Sequence, residues 1–138
     1  MNKTSGTPCA HIIIVERDPA MVAPLQAKLE HAGYRTSAVG NGKEALGAVR
    51  EVKEIGNGID IAIIDYMLPD LNGVELIRKM KHAEILPPAV IVRCPKGDEA
   101  LLRMIVCRDR LGCGSMYFLW RYATADEYLS VIEKLMEC

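Results

Sequence analysis

The chain has 138 residues, with 17 Lys and Arg against 18 Asp and Glu, a formal net charge of −1 and half its residues hydrophobic. That length suits one domain with a full core, and the balanced charge offers no basic surface for nucleic acid. No apolar run reaches membrane length, the start is not a signal peptide, and five cysteines without a C-x-x-C pair argue against a disulfide framework or zinc site and for the cytoplasm.

Residues 1–9 read as a disordered leader and 10–138 as one domain, in which strands and helices alternate. His11–Val15, HIIIV, predicts a buried strand. Asp18 caps the helix that follows, with Pro19 at its first position, and Met21, Val22, Leu25 and Leu29 form its apolar side. Pro24 inside it predicts a kink or a ragged first turn. Gly33 ends that helix, and residues 34–39 form the second strand. Asn41-Gly42 turns into a helix carrying Ala45, Leu46, Ala48, Val49 and Val52, which Gly56-Asn57-Gly58 closes.

The next stretch, IDIAIIDYMLPDLNGVELIRKMK, organises the chain. Ile61-Ala62-Ile63-Ile64 is too short for a helix and rich in β-branched residues, as expected of a strand buried on both faces. It ends in Asp65, at the carboxyl end of a sheet strand, where open α/β sheets place their sites. Pro69, Asp70, Asn72 and Gly73 mark a loop, and Asn72 with Glu75 predicts a capping box for a third helix. Pro87-Pro88 introduces a fourth strand over 89–92, with 93–97 as its exit loop. A helix over 99–110, a break at 112–114, a strand over 116–120 and a last helix opened by a Thr124/Glu127 capping box complete the pattern. Tyr128, Leu129, Ile132 and Leu135 give that last helix its buried stripe. Five βα units with short connections imply a flavodoxin-like, doubly wound α/β fold. Its five-stranded parallel sheet has order 2-1-3-4-5, with helices on both faces.

The segment from Asp65 to Lys81, with IIIVERDP, NGKEAL and the order of the elements, resembles a response-regulator receiver domain from about Ala10 to the C-terminus. The resemblance implies a signalling switch rather than an enzyme: Asp65 accepts a phosphoryl group from a histidine kinase or phosphotransferase with Mg²⁺ bound. It places Glu16 and Arg17 where two acidic residues hold the metal, with Asp65 and the Met67 backbone as further ligands. It places Arg93, or Cys94 if the loop shifts by one, at a Ser/Thr position, Arg121 at a Lys position and Phe118 at an aromatic switch position. With no output domain after the last helix, the chain reads as a stand-alone receiver or an excised piece.

The departures concentrate in the pocket. Arg17 offers no oxygen to Mg²⁺, which demands near-octahedral oxygen coordination. Arg93 replaces a small hydroxyl, Arg121 a Lys of different shape, and Tyr122 the usual following Pro. Two readings follow. The arginines take the metal's part in phosphoryl transfer, or they hold Asp65 in permanent ion pairs and leave a pseudo-receiver that signals without phosphate. Arg17 is expected to pair with Asp65, whose pKa should then be lowered. A flavodoxin-like cofactor binder would need a Ser/Thr/Gly-rich loop where the chain has Glu-Arg-Asp-Pro. The helix over 99–110 is apolar nearly all round. Leu101, Ile105 and either Leu102 or Met104 are expected on its core side, which leaves two of Leu102, Met104 and Val106 uncovered. The face formed by 99–110, 116–120 and 124–136, with Tyr122 and Tyr128 at its rim, is therefore a candidate homodimer surface.

Overall fold

The computed structural model describes residues 10–55, 58–108, 111 and 115–136. The leader expected over 1–9 lies outside them, as do Gly56-Asn57, the break at 112–114 and Cys9, Cys113 and Cys138. The elements are β1 (His11–Val15), α1 (Pro19–His31), β2 (Arg35–Val39), α2 (Gly42–Ile55) and β3 (Ile61–Asp65). They continue with α3 (Gly73–His82), β4 (Ala89–Cys94), α4 (Glu99–Arg108), β5 (Ser115–Trp120) and α5 (Ala125–Met136). The sheet is parallel, in the expected order β2-β1-β3-β4-β5. One boundary differs in a way that matters: β4 runs on through Arg93 and Cys94, beyond the strand end expected at residue 92.

Period-2 alternation sorts the sheet's side chains into two cores. Ile13, Val15, Ala62, Ile64, Val90 and Val92 meet Ala45, Val49, Leu76, Ile77, Met80, Leu102 and Val106 from α2, α3 and α4. Ile12, Ile14, Ile61, Ile63 and Ile91 meet Leu25, Leu29, Tyr128 and Ile132 from α1 and α5. Every residue of β1, β3 and β4 is buried, which is why residues 12–15, 61–64 and 89–92 read as unbroken apolar runs.

The caps follow the sequence signals. The Asp18 side chain accepts from the Ala20 N–H at 3.0 Å, and α1 continues through Pro24. Asn72 accepts from the Glu75 N–H at 2.8 Å. Thr124 and Glu127 cap reciprocally, at 2.8 and 3.1 Å. On α4 the expected face is wrong. Leu102 and Val106, four apart on one side, are buried, whereas Leu101 and Met104 are 57% and 68% exposed. The core takes the i, i+4 pair nearest β5, and that turns Leu101 outward. Tyr128, expected both in the buried stripe of α5 and at the rim of this face, is buried.

Candidate functional site

Strand alternation assembles the site. Asp65 continues the register of Ile61 and Ile63, Arg93 that of Ile91, and Glu16 that of Ile12 and Ile14, so all three emerge at the carboxyl ends of their strands on the α1/α5 face. Asp65 and Arg93 are direct partners in the β3–β4 register. Cys94 is one residue on and belongs to the opposite core. Its thiol donates to the Leu119 carbonyl at 3.6 Å, and burial, followed by Glu99 and Asp98, pushes it up to about 11. Arg121 follows β5, its N–H donating to the Cys94 carbonyl at 2.9 Å.

The loop after Asp65 is pinned by its own backbone. The Tyr66 N–H donates to the Arg93 carbonyl and the Gly73 N–H to the Tyr66 carbonyl, each at 2.8 Å, and Met67 bridges to Asn72. Gly73 is required by proximity. A Cβ there would lie 3.0 Å from both the Asp65 carbonyl oxygen and the Tyr66 Cα, too close for backbone to yield cheaply.

Arg93 is the centre of the arrangement, and its side chain is 3% exposed. Nη1 donates to Glu16 Oε1 in a buried ion pair, Nε donates to the Tyr128 hydroxyl at 2.9 Å, and Nη2 donates to the Arg121 carbonyl at 2.6 Å. Glu16 is committed on its other side too, Oε2 accepting from the Asp18 N–H at 3.0 Å. Tyr128 is pushed up to about 12 by burial and so remains a neutral hydroxyl, donating in turn to the Trp120 carbonyl at 3.3 Å.

Asp65 is buried, and its Oδ2 has no hydrogen-bond partner. Arg121 Nη2 stands 3.6 Å from that oxygen, near enough for attraction but beyond a good hydrogen bond. Arg121 also leans on the Met67 sulfur at 3.5 Å and on the Tyr122 ring. The expected lowering of the Asp65 pKa is corrected: it is raised to about 6. Loss of solvation is the largest cause, the Glu16 carboxylate is next, and the pull of Arg93 and then Arg121 does not offset them.

The expected ion pair between Arg17 and Asp65 is also corrected. Arg17 is exposed, lines a shallow groove with Pro19, Val22 and Gly40, and pairs with no carboxylate among the described residues. The reason is local. Glu16 turns inward and accepts from the Asp18 N–H, so the residue between them is carried outward. Phe118 is buried against α4 with Arg103 over its ring, 4.9 Å from the centroid.

This pocket does not fit Mg²⁺. Both Glu16 oxygens are engaged, one of them by a cation, and Arg17 contributes no oxygen. That leaves Asp65 Oδ2 as a free carboxylate oxygen, and the Arg121 guanidinium already stands 3.6 Å from it, so Mg²⁺ would meet a fixed cation instead of the one or two carboxylates it usually takes beside its waters. Among the described residues no three His, Cys, Asp or Glu side chains gather as a metal cluster.

Two residues were missed from sequence. The Tyr128 hydroxyl was legible in principle, since a buried tyrosine in an apolar stripe needs a polar partner. Asp70 was not: its carboxylate reaches across to the start of α2 and accepts from the Gly42 and Lys43 N–H groups at 2.9 and 3.0 Å. Those bonds, Gly42 first, hold its pKa below the usual range.

An open parallel sheet in this order, with a carboxylate at the end of its third strand among arginines and a second acid, defines a receiver-type signalling module. Residues 12–107 match the response regulator receiver domain family, and the chain belongs to it. It is a receiver domain of two-component signalling. It is similar to an uncharacterized transcriptional regulatory protein, YkoG, of Bacillus subtilis, 33% identical over 82 residues, 59% of this chain and 34% of that protein. It is also similar to the response regulator SaeR of Staphylococcus aureus, 30% identical over 80 residues, 58% of this chain and 32% of that protein. The chain thus spans about a third of the length of these relatives. Among solved structures, the receiver domain of a signal transduction histidine kinase from Syntrophus aciditrophicus is 27% identical, with TM-score 0.68, covering 93% of this chain and 90% of that one. The non-phosphorylated HemR receiver domain from Leptospira biflexa shares the fold, with TM-score 0.74 and 24% identity over 94% of this chain and 95% of that one. No helix of the described residues is long and apolar enough to cross a membrane.

Proposed function

We propose that residues 10–138 form a pseudo-receiver: a docking module of a two-component pathway whose working state does not depend on Mg²⁺-assisted phosphorylation of Asp65. The observation that carries this reading is the buried Arg93–Glu16 pair. It places a fixed cation on the acid that would help hold the metal, and phosphoryl transfer to a carboxylate needs the incoming oxygens neutralised. The partner is a histidine kinase or phosphotransferase, met without covalent transfer. The test is incubation with acetyl phosphate and Mg²⁺, followed by intact mass measurement. The expected result is no gain of a phosphoryl group under conditions that label an ordinary receiver. A stoichiometric gain that disappears in Asp65→Asn refutes the reading.

One observation favours the other reading, a phosphoryl acceptor at Asp65. Asp65 Oδ2 has a free lone pair, and Arg121 stands beside it as a cation with two-pronged donor geometry. On that reading labelling proceeds with the metal chelated and is lost in Arg121→Ala.

The face for docking is that of α4, β5 and α5, where Leu101, Met104, Trp120 and Tyr122 are exposed, and a second copy of the chain is the simplest occupant. Sedimentation is expected to show a dimer that Leu101→Glu with Met104→Glu dissociates. Val106, a candidate for exposure in the sequence, is buried and is a core residue. A wild type that stays monomeric at high concentration removes the dimer.

A further inference from the structure

We infer that Arg93 is a built-in cation for this pocket: its guanidinium stands against Glu16 in the metal's stead and latches the β1–α1 loop to the corner between β5 and α5. The three bonds have different destinations. Glu16 follows β1, the Arg121 carbonyl lies just after β5, and the Tyr128 hydroxyl belongs to the first turns of α5. Arg93 itself is fixed at the end of β4, opposite Asp65. One side chain thus joins the ends of three strands and a helix; its bonds to Glu16 and Tyr128 are buried and that to the Arg121 carbonyl is part-buried, and for the buried guanidinium the alternative to pairing is an unsolvated charge.

A planar fork suits this part, because its donors point in separate fixed directions and its charge is permanent. A small hydroxyl at position 93 would reach neither Glu16 nor Tyr128. The corner is therefore held by a bond that requires no ion and no modification of Asp65. Arg93 touches no reacting atom, and its role is positioning. The inference rests on the pseudo-receiver reading but makes a separate claim about Glu16, so its test uses metal binding and amide exchange rather than phosphoryl transfer.

The test compares wild type, Arg17→Asp, and Arg17→Asp with Arg93→Thr, by thermal melts with and without 10 mM Mg²⁺ (about that concentration suffices for a millimolar site). Arg17 is exposed and unpaired among the described residues, so Arg17→Asp will fold. It adds an oxygen ligand but leaves Arg93 on Glu16, so neither it nor the wild type is expected to shift. The double variant frees Glu16 and is expected to gain about 3 °C or more with Mg²⁺. A comparable gain in the wild type or in Arg17→Asp alone overturns the inference, as does a folded double variant that Mg²⁺ leaves unmoved. Hydrogen exchange tests the latch without relying on that variant. In Arg93→Lys, which keeps the charge but not the fork, the amides of residues 122–128 are expected to exchange about tenfold faster or more. Unchanged exchange there refutes the latch.

Discussion

Replacing Arg93 with Met, which keeps an unbranched apolar stem but removes the guanidinium and its charge, is expected to destabilise the domain by about 3–5 kcal/mol in denaturant unfolding. The cost is chiefly that of Glu16, left as an uncompensated carboxylate 4% exposed, beside the Asp65 carboxylate that already opposes it. Loss of the Tyr128 and Arg121 bonds adds to it. The companion change Glu16→Gln decides between this account and simple loss of packing. The double variant is expected to be more stable than Arg93→Met alone, because no buried charge is stranded. Tyr128→Phe isolates one arm of the latch and is expected to cost about 1–2 kcal/mol. If Glu16→Gln brings no recovery in the Arg93→Met background, the pair is not what holds this corner.

The sheet was legible because its signal is redundant. Three strands buried on both faces read as runs of Ile and Val, and the first two of them, β1 and β3, are followed by capped helices. The gathering of Glu16, Asp65 and Arg93 was legible too, through the resemblance that puts all three in one pocket; strand parity puts them on one face only once β4 runs through Arg93. Which charge meets which was not. Template position aimed Arg17 at Asp65, but chain direction at a cap is set by a hydrogen bond from the Asp18 N–H to Glu16, a detail that residue spacing does not carry. Arg93 reads as loop in the sequence, since it ends the apolar run and charges usually lie outside. The rule fails here because three partners wait for it, each contributed by a different segment. The face of α4 failed for another reason: with an apolar residue at nearly every position, more than one stripe can face the core, and packing against β5 makes the choice.

The pKa of Asp65 shows the same limit and leads to the second large effect. Counting charges by sequence, arginines outnumber acids around it, and a lowered value follows. In the fold, Arg93 is spent on Glu16 and Arg121 stands off at 3.6 Å, so burial prevails and the value rises to about 6. A carboxyl that holds its proton more tightly when folded than when unfolded stabilises the fold while protonated. Its contribution is complete below the unfolded value, near 3.8, and is lost as pH rises through about 6. Asp65→Asn keeps the shape of the neutral form at every pH. Its stability relative to wild type is therefore expected to be near zero at pH 4, to grow across the window from about 4 to about 6, and to level off at about 3 kcal/mol in the variant's favour by pH 7. Chemical unfolding of both proteins across that range checks this, and the difference curve isolates Asp65 from the other carboxyls. The same substitution in Arg93→Met is expected to yield a larger gain, since Arg93 is one of the two cations that hold the Asp65 pKa down. A flat difference curve, or one that favours the wild type at neutral pH, would mean that Arg121 closes on Asp65 and outweighs the cost of burial.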